Sequence, residues 1–267
     1  MDFKRIITAL ILFPLVVIMF IFGNKYIIDV VMAFAAFLSM NEYFNAVQKV
    51  CNPVRWVGYL SCIFIAVVHV IPAEYVTMTA IITVPTILVI LFAQVIATDM
   101  KTSFKDIAYS FLGIFYVVFF TMFVALIYGK DNGKFLIWYA IFAAWGTDAF
   151  AYFIGKFFGK HKFSKVSPKK SIEGCIAGTL GGLLFVLVYT YFINTYGGQN
   201  ISYLYIGLIG VVLSLLGQIG DFAASSIKRY VDIKDYSNLI PGHGGMLDRI
   251  DSLIFLAPFA FVLLGIV

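Results

Sequence analysis

The chain has 267 residues, of which 62% are hydrophobic and only 12% charged, with 28 Phe and 16 Tyr. That mixture excludes an ordinary soluble domain and matches membrane spans with aromatic belts at their edges. The formal charge of +5 would suggest nucleic acid in a soluble protein. Here the Lys and Arg gather in loops, so membrane orientation explains them and no nucleic-acid partner is expected.

A helix needs about 20 apolar residues to cross about 30 Å of hydrocarbon. By that rule about nine spans are expected, near residues 6–22, 27–46, 56–72, 76–97, 107–128, 135–154, 175–193, 202–224 and 250–267. The first follows Lys4 and Arg5 and imitates a signal peptide. It lacks a small-residue cleavage site and is followed by many similar runs, so it reads as a span. Asn41 and Glu42 interrupt the second span, and His69 lies near the end of the third. Backbone polar groups in lipid must be satisfied within the segment, so the spans should be helices. No stretch alternates at period two long enough for a barrel. The expected fold is an all-α polytopic membrane helical bundle, a single integral membrane domain over 1–267. It divides into an N-terminal span bundle, 1–128, and a catalytic C-terminal portion, 129–267.

A cytoplasmic N-terminus places 16 of the 19 Lys and Arg inside and leaves only Lys25, Lys130 and Lys134 outside. That bias supports the orientation and an odd number of spans. The longest connections, about 155–174 and about 225–249, then both lie on the cytoplasmic side, and long polar loops are where function concentrates. The N-terminal spans are featureless apart from Glu42. It reads equally well as a headgroup-level acid without a task or as a supporting polar contact in the bundle. Cys51, Cys62 and Cys175 are odd in number and lack metal or redox spacing, so neither a disulfide framework nor a zinc site is expected.

Chemistry-bearing residues fall in three clusters. In the first, residues 145–174, Asp148 is expected about six residues inside its span, about 9 Å from the end at 1.5 Å per residue. A lone buried carboxylate there needs a cation or donor nearby. The lysines Lys156, Lys160, Lys162, Lys165, Lys169 and Lys170 read mostly as a positive-inside loop. The run Ser167-Pro168-Lys169-Lys170-Ser171, then Glu173-Gly174, reads as a rigid turn presenting two cations at a helix start. In the second cluster Asp221, Ser225 and Lys228 stand at i, i+4 and i+7 and share one helix face. They are either a polar helix end solvating itself or a site entered from an apolar span.

The third cluster is KDYSNLIPGHGGMLDRID, residues 234–251. Pro241, Gly242, Gly244 and Gly245 turn the backbone, and the glycines allow its N–H groups close to a phosphate. Asp248 and Asp251 stand at i and i+3 at the start of the last helix. They are either acids suited to a helix N-terminus or, for Asp248 together with Asp221, oxygen ligands for Mg²⁺. His243 is a turn-packing residue or a phosphate contact. Carboxylates for a divalent metal with Lys and Arg for phosphate are the parts of phosphoryl or nucleotidyl transfer. There is no Walker A motif, no Ser-His-Asp elbow and no HExxH zinc motif.

These residues resemble the phosphatidate cytidylyltransferase (CDP-diacylglycerol synthase) family. The family pattern is met, without a gap, by Ser225, Lys228, Arg229, Lys234, Asp235, Pro241, His243, Gly244, Gly245, Asp248, Arg249 and Asp251. The Asp148 segment and the Ser-Pro-Lys-Lys-Ser-x-Glu-Gly run are also similar. The resemblance covers about residues 145–251. It implies that CTP and phosphatidic acid give CDP-diacylglycerol and pyrophosphate at the cytoplasmic face of the cell (inner) membrane. It also implies Asp221, Asp248 and Asp148 as metal ligands for Mg²⁺, with a second cation compatible, and Asp221, Asp248, Lys228 and Asp251 as the catalytic set. Ser225, Arg229, Lys169, Lys170, His243, Gly244, Gly245 and Arg249 would bind substrate, and a homodimer is compatible with it. Two rivals stay open: a related enzyme such as a CTP-dependent polyprenol kinase or an ether-lipid cytidylyltransferase, and a transporter with intramembrane carboxylates.

Overall fold

The computed structural model describes residues 3–162, 164 and 166–266, and their side chains except those of residues 3–9, Ala73, Thr77 and Ile266. Lys165 and the side chains of Lys4 and Arg5 therefore lie outside the described residues. Helices are the only regular structure among the described residues: α1 (Phe3–Phe22), α2 (Lys25–Val47), α3 (Arg55–Ala66), α4 (Ala73–Ala97), α5 (Phe104–Gly113), α6 (Phe120–Tyr128), α7 (Gly133–Phe158), α8 (Ile172–Tyr196), α9 (Tyr203–Tyr230) and α10 (Leu247–Leu263). A π-helical turn, Ile114–Phe119, joins α5 to α6.

Among the described residues six segments are long and apolar enough to cross a membrane: Lys25–Val47, Glu74–Ala97, Phe104–Tyr128, Gly133–Phe158, Ile172–Tyr196 and Tyr203–Tyr230. The chain is thus an all-helical membrane protein. Its remaining apolar helices are shorter. The expected third span, 56–72, is helical only over the 12 residues Arg55–Ala66. Pro72 restricts the residue before it. His69 lies beyond the helix end, where its Nδ1 meets Asp29 Oδ1 at 2.7 Å. The expected last span, 250–267, begins earlier, at Leu247, and runs for 17 residues as α-helix.

The chain packs as two compact units, residues 1–129 with 230–250, and residues 130–229 with 251–267. The core of the first is α2, whose Ile28, Met32, Ala36, Met40, Tyr43 and Phe44 recur every three to four residues and are buried. Gly58 of α3 lets the Phe44 ring lie flush, because a Cβ there would fall 2.6 Å from it. Asp106 fastens this unit's loops: its Oδ1 accepts from Asn52 N at 2.6 Å and its Oδ2 from Ser103 N at 2.8 Å. By contrast α4 is turned outward along almost its whole length. Its apolar residues suit lipid.

In the second unit α7 and α8 approach closely through small residues. A Cβ on Gly146 would fall 2.8 Å from Gly181 O, and one on Gly178 2.9 Å from Thr147 O. Small residues at such crossings bring backbones together where lipid supplies no hydrophobic drive. Gln218 of α9 donates to Cys175 O at 3.2 Å and Thr179 Oγ1 at 3.0 Å, tying α9 to α8. Gly220 does the same against α10, where a Cβ would meet Phe255 Cβ at 2.5 Å. These contacts hold the helices that carry Asp148, Asp221 and Asp251.

Candidate active site

The second unit gathers most of the polar residues picked out in the sequence. Ser171 caps α8 by accepting from Gly174 N at 3.2 Å. Glu173, in the first turn, reaches back to accept from Lys160 N and His161 N, each at 3.2 Å, and shares a 2.5 Å hydrogen bond with His161 Nδ1. That buckle, with Ile172 N donating to His161 O, closes the loop between α7 and α8. Lys170 leaves this loop toward α9. Its Nζ forms an ion pair with Asp221 Oδ2 and lies 4.1 Å from the centroid of the Phe222 ring.

Asp221 also accepts from Ser225 Oγ at 3.3 Å, as expected for positions one turn apart on a helix face. Lys228, on the same face, is only 8% exposed. Asp251 of α10 is likewise 8% exposed, within electrostatic range of Asp221, Lys228 and Asp148. Its Oδ1 accepts from Ser252 N at 2.8 Å. Three carboxylates and two lysines, Lys170 and Lys228, therefore share one neighbourhood. Like-charged carboxylates in partly desolvated surroundings repel, and each lysine offsets part of that cost.

Asp148 differs from expectation in two ways. Helix α7 continues to Phe158, so Asp148 lies ten residues, about 15 Å at 1.5 Å per residue, from the helix end rather than six residues in. It is also exposed rather than buried. The helix runs on through Tyr152–Phe158 despite Gly155 and has its C-cap at Gly159. Lys169 and Arg229 are exposed. The carbonyl of Lys169 accepts from Lys162 Nζ at 2.8 Å, and Arg229 Nε donates to Val166 O at 3.3 Å, which ties the loop to α9.

The first unit holds the loop that carries His243, Gly244, Gly245, Asp248 and Arg249. Gly242 and Gly244 have φ of 76° and 82°, the left-handed region that favours glycine. The turn closes through Ile240 N to Gly244 O and His243 N to Ile240 O, both 2.9 Å. Asp248 is buried, and its Oδ2 accepts from Tyr236 N at 2.9 Å and Gly245 N at 3.0 Å. His243 Nδ1 is buried without a hydrogen-bond partner among the described residues. Arg249 is exposed.

Glu42 interrupts an apolar run in the sequence. Its carboxylate is held by this loop: Oε1 accepts from Ser237 Oγ at 2.6 Å and Met246 N at 2.9 Å, and Oε2 from Leu247 N at 2.8 Å. Of the two readings of Glu42, the supporting polar contact is the one found. Nothing in the local sequence announces its partners, which are 195 to 205 positions away.

Among the described residues no three His, Cys, Asp or Glu side chains converge at metal-ligand spacing. The donors are nevertheless of the right kind, since Mg²⁺ takes hard oxygen ligands and is usually held by one or two carboxylates plus substrate phosphates. A site of that type needs no cluster of three. The second unit by itself brings lysines and carboxylates together, and the first by itself presents a glycine turn with backbone N–H groups.

A profile of the cytidylyltransferase family matches residues 3–267. The chain is similar to the phosphatidate cytidylyltransferase of Bacillus subtilis (strain 168), 37% identical over 166 residues, 61% of this chain and 60% of that protein. It is similar to the enzyme of that name from Staphylococcus haemolyticus, 36% identical over 177 residues, 66% of this chain and 65% of the relative. The Thermotoga maritima protein of the same name is 35% identical over 179 residues, 66% of each chain. The similar region thus spans 60–66% of the length of these relatives. The match from Phe3 to Val267 agrees with the carboxylate and lysine cluster and the His-Gly-Gly turn: the chain belongs to the cytidylyltransferase family.

Proposed function

We propose that the protein is a phosphatidate cytidylyltransferase, a nucleotidyltransferase of phospholipid biosynthesis that converts CTP and phosphatidic acid to CDP-diacylglycerol and pyrophosphate. The observation that carries this reading is the neighbourhood of Asp251, Asp221, Asp148, Lys228 and Lys170 in a chain matched over its length by the family profile. The relatives' name supplies the lipid substrate.

A phosphate oxygen of the lipid attacks the α-phosphorus of CTP. The new P–O bond forms as the bond to the β-phosphate bridge breaks, and pyrophosphate leaves with the electron pair. A phosphate monoester has a second pKa of about 6, so the nucleophile is largely ionised at neutral pH and no strong general base is required. The main obstacle is the approach of two polyanions. Lys170 and Lys228 lower it by neutralising phosphate oxygens, with Lys169, Arg229 and Arg249 as further cations. Asp221 and the Phe222 ring hold the Lys170 ammonium in place before substrate arrives. Ser225 fixes the Asp221 carboxylate. His243, Gly244 and Gly245 orient phosphate through the turn. When bound, Mg²⁺ supplies charge neutralisation at the triphosphate. Its proposed ligands are Asp221 and Asp148 and, by the sequence motif, Asp248, with Asp251 in support.

The positive charge bias supports an odd number of spans with the N-terminus and the reacting groups on the cytoplasmic side of the cell membrane. The test is incubation of the purified full chain with labelled CTP, phosphatidic acid and Mg²⁺, followed by identification of the lipid product. CDP-diacylglycerol is expected. Phospho-lipid with CDP would assign a kinase instead, and flux across vesicles without CTP would assign a transporter.

A further inference from the structure

We propose that Glu42 is a positioning residue for this reaction: its single carboxylate staples both ends of the phosphate-facing loop and thereby sets where α10 begins. This rests on the function proposed above. Three observations carry it. First, Ser237 and Met246, nine positions apart, donate to the same oxygen, Oε1, while Leu247 donates to Oε2. The loop between them, which includes His243 and Gly244, is closed on one side chain. Second, Met246 and Leu247 are at the start of α10, where backbone N–H groups have no intrahelical acceptor and an anion is favoured. Glu42, only 4% exposed, takes that capping place from α2. Third, a Cβ on Gly245 would fall 2.5 Å from Glu42 Oε2. A side chain at the last glycine of His-Gly-Gly would therefore press on the Glu42 carboxylate. Gly245 N in turn donates to Asp248 Oδ2, so the Glu42 carboxylate, Gly245 and Asp248 form a contiguous stack.

A buried carboxylate with three donors is also what a purely structural clamp looks like, so the test needs a readout that stability alone does not move. In the full-length protein in nanodiscs, Glu42→Gln keeps the shape but sets an NH₂ or a neutral oxygen against the Leu247 and Met246 N–H groups. Hydrogen exchange across residues 236–247 should rise roughly ten- to hundredfold, the worth of one charge-assisted hydrogen bond. The KM for CTP and the Mg²⁺ half-saturation should rise together by about tenfold or more, with kcat less affected and peptides from 130–228 exchanging as before. Glu42→Asp should recover part of both, and Glu74→Gln, an exposed acid on α4, should change neither. Unchanged exchange at 245–247 would overturn the proposal, as would raised exchange with unaltered KM and Mg²⁺ dependence. If Glu42→Gln fails to fold, Ser237→Ala removes one of the three donors and should shift both readouts in the same direction; no shift there would overturn it equally. Failure of the wild type to make CDP-lipid would sink the function reading, while the exchange measurement, which needs no substrate, would still decide whether Glu42 holds the loop.

Discussion

The buried acids of the first unit and the group Asp221, Asp251 and Asp148 of the second are used in opposite ways. In the first, Glu42, Asp106 and Asp248 each accept backbone N–H groups, and Asp29 meets His69. These carboxylates do the work of caps and turn residues, and each fixes a loop that apolar packing alone would leave open. In the second unit Asp221, Asp251 and Asp148 lie near one another and near lysines. A carboxylate filled by amides has settled its charge within the fold. Carboxylates set against each other leave negative charge unbalanced, and a substrate-bound cation can balance it. The difference separates acids filled by backbone donors, among them Asp248, which the sequence motif also offers as a ligand, from the acids proposed to meet the substrates.

Breaking the second kind should cost the most activity. Asp221→Asn removes the partner of Lys170 and a proposed metal ligand. It should lower turnover by about a hundredfold or more, a magnitude typical of lost transition-state charge stabilisation. Insertion and helix content should be retained, as read by circular dichroism of the purified protein. Wild-type turnover would remove Asp221 from the site. Lys170→Ala should come next. Loss of one charge-assisted contact to phosphate corresponds to about 1.5–3 kcal/mol, seen as a raised KM for CTP or phosphatidate, and Lys170→Arg should restore only part of it because the fork geometry differs.

Breaking the first kind should act through the loop. Gly245→Ala places a methyl group against the Glu42 carboxylate and should destabilise the turn by about 1–3 kcal/mol, the usual range for overpacking. The check is thermal unfolding together with activity, and the double variant Gly245→Ala, Glu42→Ala should lose less than the sum of the two single variants, because the clash is gone once the carboxylate is. If the single variant is silent in both assays, the glycine requirement is wrong. The smallest effect concerns Cys51, buried in the connection after α2. Burial, and then the charge of Asp106, push its thiol up to about 11. A raised pKa keeps the thiol protonated below that value, so labelling should be slow at pH 8 and rise as pH approaches 11. Asp106→Asn removes the second cause and should speed labelling at pH 8 modestly. Labelling of the wild type as fast as a free thiol at pH 8 would contradict the buried placement.

Much of this was legible in the residues. The apolar runs demanded helices because backbone groups in lipid have no other partner. The face shared by Asp221, Ser225 and Lys228 followed from helical spacing, and the turn at Gly242 and Gly244 from the conformational freedom of glycine. The Ser-Pro-Lys-Lys-Ser run was visible as a presenter of cations. Helix α7 runs to Phe158, past the expected span end at 154, because hydropathy marks where lipid would end and not where a helix ends. The third helix ends at Ala66, short of the expected span, and the contact of His69 with Asp29, 40 positions away, is one that no local pattern encodes.

What the sequence by itself determined is the class of the protein: a polytopic helical membrane chain with metal-suited carboxylates and phosphate-suited cations at defined positions. Those are short-range properties, set by composition, period and spacing. Only the tertiary structure decided which acids are filled by backbone donors and which lie against lysines and other acids. Glu42 and Asp221 are both acids within or at the end of apolar helices. One finds three N–H and O–H donors from far along the chain, and the other a lysine and a like-charged neighbour. That choice depends on contacts between residues up to 205 positions apart, which no local rule reaches.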